Sequence, residues 1–208
     1  MMMEELNQIV RWAVELQSLA QAGLTYGKDA YDRERYQRLR EIAADMMAET
    51  TGLPVEKVKD LFCNERGYQT PKLDTRAALF QDGKILLVQE CDGLWTLPGG
   101  WVDVNLSVKE NALKEVKEEA GLDARALRII AVLDRAKHNP PPSAHGICKV
   151  FVLCQQTGGQ FAPNLETIAS GYFALEELPP LAESKTTRGQ IRMCFDAHQA
   201  KHWETIFD

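Results

Sequence analysis

Glu115, Glu118 and Glu119 crowd into the back of a segment, Ser107 to Ala120, whose spacing predicts a helix. Residues four apart share a helix face, so Glu115 and Glu119 lie together with Glu118 beside them. Like charges at that spacing are mildly destabilising unless something neutralises them, and Lys114 and Lys117 are the basic residues interleaved with them. On helix physics alone a solvated acidic face is the ordinary reading of such a run. The competing reading is a hard divalent cation, since Mg²⁺ binds through a few carboxylates and otherwise keeps water or phosphate oxygens. The Gly99-Gly100 pair upstream favours the cation, because glycines let the main chain approach a ligand and offer it a carbonyl.

The elements needed to hold these groups are legible on either side. Ser107 is placed to cap the helix, Glu110 completes a capping box, and Ala112, Leu113, Val116 and Ala120 form the apolar side. Before it, TRAALF and KILLVQE are short apolar strands joined through Gln81-Asp82-Gly83, and Asp-Gly is a strong hairpin signal. After it come a strand-like ALRIIAVLD, a polar, proline-rich loop KHNPPPSAHG and a buried strand CKVFVLC. Gly158-Gly159 is expected to turn into a further strand, with GYFALEELPPL beyond it. Thr187 to His198 reads as a closing helix with Ile191, Cys194 and Phe195 on one face. Strands surrounding two helices predict a mixed α/β sandwich.

The first third of the chain is different. Leu6, Ile9, Val10, Ala13, Leu16 and Ala20 make a helical stripe that Gly23 is expected to stop. A second helix, about Asp32 to Glu49, carries Leu39, Ile42, Ala43 and Met46 on one face and ends at Gly52. Pro54 sits where the first turn of a third, short helix accepts proline, and Val55, Val58, Leu61 and Phe62 give that helix its buried side. Three short, single-striped helices bury little alone and need the rest of the chain or a second copy. A DNA-reading helical module has this size, but residues 1–70 hold nine Lys/Arg against twelve Asp/Glu, the wrong sign for phosphates. The 208 residues therefore read as a helical N-terminal domain, 1–66, ahead of an α/β domain, 72–208.

Net charge of −6 argues against a nucleic-acid partner. No apolar run approaches the roughly 18 residues of a spanning helix, so no membrane partner is expected. MMMEELNQIV carries acid where a signal or transit peptide would be basic. Five scattered cysteines without a C-x-x-C pair fit reduced thiols and argue against disulfides or zinc. The expected location is the cytoplasm.

Gly100, followed at fixed spacing by Lys114-Glu115-Val116-Lys117-Glu118-Glu119-Ala120-Gly121-Leu122, resembles the Nudix box. The family pattern is Gly, five residues, Glu, seven residues, then Arg-Glu-aliphatic-x-Glu-Glu-x-Gly-aliphatic. The match runs over 23 residues without a gap, and DGLWTLPGGWV and GYFALEELPPL resemble the family segments before and after it. The resemblance implies a Nudix-type α/β/α sandwich with a mixed sheet. It also implies hydrolysis of a nucleoside diphosphate linked to another group, with Mg²⁺ or Mn²⁺. Under it, Glu115 and Glu119 are the principal metal ligands, Glu118 and the Gly99 carbonyl are additional ones, and the general base is Glu118 or Glu166 of the PNLET segment. Two positions depart from the pattern: Leu106 stands for the first Glu and Lys114 for the Arg. Without the acid a guanidinium fork has one partner fewer, and a lysine point charge can still sit beside Glu115.

GWVDVNLS, DRAKHNPPP, KVFVLC and TTRGQIRMCF, together with the helical N-terminal part, are similar to one subgroup, the CDP-choline and ADP-ribose pyrophosphatases. This implies a homodimer supported by the N-terminal helices, which are expected to serve dimerisation or to cap the substrate site, and a small-molecule nucleoside diphosphate substrate. Arg76 is a candidate phosphate contact or, equally, a structural ion pair. Trp101 and Asp134 offer an aromatic face and a charge to an ammonium group, and His138 offers itself to phosphate or ribose. The competing function is a catalytically weak nucleotide sensor acting through the helices, against which the intact Glu115, Glu118 and Glu119 argue.

Overall fold

The computed structural model describes residues 2–208, with side chains from Gln8 onward, so the role expected of Leu6 lies outside the described residues. In chain order it forms α1 (Met2–Tyr26), α2 (Ala30–Thr51), α3 (Val55–Phe62), β1 (Lys72–Gln81), β2 (Lys84–Glu90) and β3 (Trp95–Thr96). Then follow α4 (Val108–Ala120), β4 (Leu122–Asp134), α5 (Arg135–His138), β5 (Ile147–Gly159), β6 (Thr167–Phe173), a 3-10 turn (Leu175–Glu177), α6 (Arg188–Gln199) and β7 (Ile206–Phe207). Among the described residues no helix is long and apolar enough to cross a membrane. The chain divides into two compact units, residues 1–71 with 142–146, and residues 72–141 with 147–208.

In the first unit, Gly23 does not stop α1, which runs on to Tyr26. A Cβ at Gly23 would collide with the Tyr36 ring of α2, so the glycine is there for close helix approach. Asp29 caps α2 by accepting from Asp32 N at 3.0 Å, and Gly52 closes it in the left-handed conformation. Pro54 leads into the first turn of α3 as its N-cap. The core is built from Val10, Ala13, Ala43, Ala44, Met47, Ala48, Val58 and Phe62, with Ala144 of the proline loop packed on it. Leu61, expected inside, is 54% exposed because α3 is amphipathic enough to bury Val58 and Phe62 alone.

The second unit is a seven-stranded mixed sheet ordered β3-β2-β1-β5-β4-β7, with β6 also pairing β2. β1 pairs β5 in parallel and β4 pairs β7 in parallel; the remaining pairs are antiparallel. Asp82 and Gly83 both take positive φ, the type I′ geometry that matches strand twist in a two-residue hairpin. Alternation along the strands divides the core between the two faces. Ala77, Leu79, Leu86, Val88, Val150 and Val152 meet Ala112, Val116 and Ala120 of α4. Ala78, Ile85, Leu87, Phe151 and Leu153 meet Ile191, Cys194 and Phe195 of α6. The result is the expected sandwich, with α4 on one side and α6 on the other. Gly158 and Gly159 do not turn into a new strand; they pair with Asp123 and Leu122 at the end of β5.

One buried charge cluster joins the two central strands. Asp74 on β1 stands opposite Lys149 on β5, and its carboxylate takes Arg76 in a fork at 2.9 and 2.7 Å and Lys149 at 3.1 Å. Burial alone would push Asp74 up, but the two cations outweigh it and hold the carboxyl below its usual range. Lys149 is the surplus cation, and burial, with Arg76 nearby, pulls it down to about 8 from its ordinary 10.5. Between those values the unfolded chain keeps a proton that the native chain has lost, so stability rises with pH across that window. Asp74→Ala, which strands two buried cations, is expected to cost about 3–5 kcal/mol. Lys149→Met should cost far less and abolish the gain in stability between about pH 8 and 10.5, both measured by urea unfolding.

Candidate active site

The site is a glycine turn lying against the last turns of α4. Ser107 begins α4 with both bonds of a capping box, accepting from Glu110 N while Glu110 accepts from Ser107 N at 2.9 Å. Apolar Ala112, Val116 and Ala120 press the helix on the sheet, which turns Glu115 and Glu119 inward; both are only 7% exposed. The Leu97–Trp101 stretch enters beside β1, with Pro98 and Gly100 carbonyls accepting from Ala77 N at 2.8 Å and Thr75 N at 2.9 Å. Gly99 has φ +149, and a Cβ there would collide with the Thr75 carbonyl. Its N–H donates to Glu119 Oε2 at 2.8 Å, while its carbonyl receives no hydrogen bond among the described residues.

Electrostatics decide what this pair of carboxylates can hold. Burial pushes Glu119 up to about 7, against the Gly99 N–H and Arg76, and Glu115 adds to the push. Burial likewise raises Glu115, with Glu118 and Glu166 adding negative charge and Lys114 opposing. Two inward carboxylates thus share less positive charge than their burial demands. Their hard oxygen donors suit a hard divalent cation. Gly100 lies directly beside the pair, where a Cβ would stand 3.4 Å from Glu115 Oε1 and crowd that carboxylate. Among the described residues no group of three His, Cys, Asp or Glu side chains is arranged to hold a metal by itself. The two buried carboxylates fit a divalent cation by their donor chemistry.

The other expected site residues fall in four places. Glu118 is half exposed and its carboxylate pairs with Lys114 at 2.7 Å; Lys114 also reaches Asp103 at 3.5 Å and Glu115 at 3.6 Å. Leu106 is half-buried in the turn that enters α4, where its N–H donates to Asp103 O at 2.9 Å. Glu166 is exposed on the loop before β6. Arg76 is buried beneath the site with its fork on Asp74, and the charges of Glu119 and Glu90 help keep it protonated. Trp101, 52% exposed, follows the glycine turn and bridges to Asp74. Asp134 instead caps α5 through Ala136 N at 2.9 Å, and His138 pairs with Asp208 at 3.0 Å. Among the described residues no hydrogen bond or ion pair links either to the carboxylates. Sequence reasoning missed Asn111, which bridges Thr75 Oγ1 at 2.9 Å and Asp103 N at 3.1 Å, and Asn164 and Thr167. Only Asn164, three residues before Thr167, carries a local signal, that of an Asx turn.

The NUDIX domain description matches residues 70–193, more than half of the 208 residues. The chain belongs to the Nudix family. Residues 7–62 match a second description, the UDP-X-like, N-terminal oligomerisation domain. A Bacillus subtilis (strain 168) protein named putative ADP-ribose pyrophosphatase YjhB is 44% identical over 197 residues, which cover 94% of this chain and 95% of that one. The crystal structure of a UDP-X diphosphatase is 32% identical with a TM-score of 0.63 and covers 97% of this chain and 98% of that one. That of an ADP-ribose pyrophosphatase from Streptococcus suis 89-1591 is 60% identical with a TM-score of 0.63, over 67% of this chain and 100% of that one. The protein is therefore a Nudix hydrolase acting on nucleoside diphosphate-linked substrates, and Nudix hydrolases generally use divalent cations. Its α4 is the Nudix helix. In this helix–glycine arrangement Gly99→Ala is expected to lose activity and about 2 kcal/mol or more of stability, since the backbone itself must move. Gly100→Ala, by contrast, should keep the urea midpoint while weakening divalent-cation affinity measured by calorimetry.

Proposed function

We propose that this Nudix hydrolase cleaves the pyrophosphate of ADP-ribose with Mg²⁺ or Mn²⁺, CDP-choline being the second substrate to test. The reading is carried by Glu115 and Glu119, two buried carboxylates on one helix face with a glycine turn against them. Its substrate half is supported by the relatives named for ADP-ribose, one of which matches along nearly its whole length. Bound in the site, the cation supplies neutralisation of the charge that develops on the phosphate oxygens during in-line attack.

The protein's own groups do the rest. Glu115 and Glu119 would hold the ion, and the Gly99 N–H fixes Glu119 by donating to its Oε2. Lys114 spans Asp103, Glu115 and Glu118, so a flexible ammonium reproduces by three partners what a guanidinium fork does by geometry. Arg76 and Asp74 form a rigid charged floor under the site. Trp101 offers an exposed ring on which a base can stack. Glu118 is committed to Lys114, whereas Glu166 is exposed and near enough to add its charge to Glu115. Glu166 is therefore the group assigned to take the proton from the attacking water.

Turnover of ADP-ribose, CDP-choline, CDP-glycerol, NADH and 8-oxo-dGTP, with Mg²⁺ or Mn²⁺, tests the whole reading. ADP-ribose should be hydrolysed fastest, and Glu119→Gln should lower its kcat/KM by about a thousandfold, the scale of losing a principal electrostatic group. No turnover across the panel would favour the nucleotide sensor acting through its helices.

The N-terminal unit supports a homodimer. Trp12, Leu19 and Tyr26 recur every seven residues along α1 and are 52%, 57% and 65% exposed, an apolar stripe that a second copy can cover. Trp12→Glu with Leu19→Glu is expected to halve the mass measured by light scattering; an unchanged dimer would remove this face from the interface.

A further inference from the structure

Between Ala162 and Glu166 every side chain is exposed, Leu165 at 96%. Apolar burial therefore does not hold the segment that carries Glu166. Hydrogen bonds hold it, and most of them converge on Asn164. Its Oδ1 accepts from Glu166 N and Thr167 N, both at 2.9 Å, which folds the loop into an Asx turn. Its Nδ2 donates to Thr167 Oγ1 at 2.8 Å and to the Glu118 carbonyl at 2.9 Å.

The second of those bonds ties the loop to the Nudix helix. The last carbonyls of a helix have no intrahelical partner and must find one elsewhere. In α4 the Lys117 carbonyl takes Gly121 N at 3.0 Å, the Glu118 carbonyl takes Asn164, and the Glu119 carbonyl takes Thr167 Oγ1 at 2.6 Å. The loop bearing Glu166 is thus the C-terminal cap of the helix bearing Glu115 and Glu119. We propose that Asn164 is a positioning residue that fixes the Glu166 carboxylate relative to the carboxylates of the Nudix helix by clamping the loop to the Glu118 carbonyl. The inference rests on the assignment of Glu166 as the base.

Steady-state kinetics of Asn164→Ala, Asn164→Asp, Glu166→Gln and the Asn164→Ala/Glu166→Gln pair, on the best substrate of the panel, test it. Asn164→Ala should lower kcat about tenfold to a hundredfold, the scale of a reacting group misplaced by about 1 Å. KM should stay within about twofold, because the substrate contacts are untouched. Asn164→Asp keeps the acceptor of the Asx turn and loses the donor to Glu118. Amide exchange at Glu166 and Thr167 should therefore stay slow in that variant while kcat falls. In the Glu166→Gln background Asn164→Ala should add no further loss, since the group it positions is gone. An unchanged kcat in both Asn164 variants overturns the clamp, and so does an equal loss in the two backgrounds, which would mean Asn164 acts through α4 alone. Glu166→Gln with undiminished kcat overturns the base assignment itself, a result read independently of the Asn164 variants.

Discussion

Burying a carboxylate is unfavourable unless it is hydrogen-bonded and its charge is answered, and the α/β unit is arranged around that constraint at Glu119. Its side chain lies against the sheet, takes the Gly99 N–H, and sits above Arg76, whose fork is fixed by Asp74. These partners answer part of the charge. What remains, shared with Glu115, is the chemical character of the site: a pair of buried hard oxygen donors, the kind that suits a divalent cation.

The constraint extends outward in both directions. Asp74 must be fully inside to hold Arg76, and its own charge is met by Lys149 from the neighbouring strand. That makes the centre of the sheet polar where a parallel strand pair would ordinarily be apolar throughout. On the solvent side, Lys114 answers Glu118, Glu115 and Asp103 together. The site is a layered arrangement of alternating charge, with the carboxylates between the buried Arg76 and the partly exposed Lys114.

The helix that carries the chemistry was fully legible in the chain. Ser107 and Glu110 define its start, Gly121 its end, and its apolar side predicts which glutamates turn inward. The hairpin at Asp82-Gly83 and the closing helix from Thr187 were legible for the same reason, being governed by local backbone preferences and caps. Gly23 was misread because a glycine inside a helix looks like a stop, whereas here it marks where Tyr36 of another helix comes close. Gly158-Gly159 was misread likewise, as a turn, although its pairing partners lie more than thirty residues earlier in β4. Leu61 was misplaced because an eight-residue helix has too few positions for its stripe to fix which side is covered.

Sequence alone determined that Glu115 and Glu119, four residues apart, share one helix face whatever the helix packs against, and that a glycine pair stands upstream of them. It also determined that the first third of the chain is acidic and helical. Only the tertiary structure decided which candidates meet. It sent Asp134 and His138 to α5 and Asp208, committed the Arg76 fork to Asp74, and brought Asn164 and Thr167 against helix carbonyls 46 and 48 residues away in the chain. Those pairings have no local signature. They follow from strand order and from the need of every helix end to satisfy its last carbonyls, which are conditions on the folded chain as a whole.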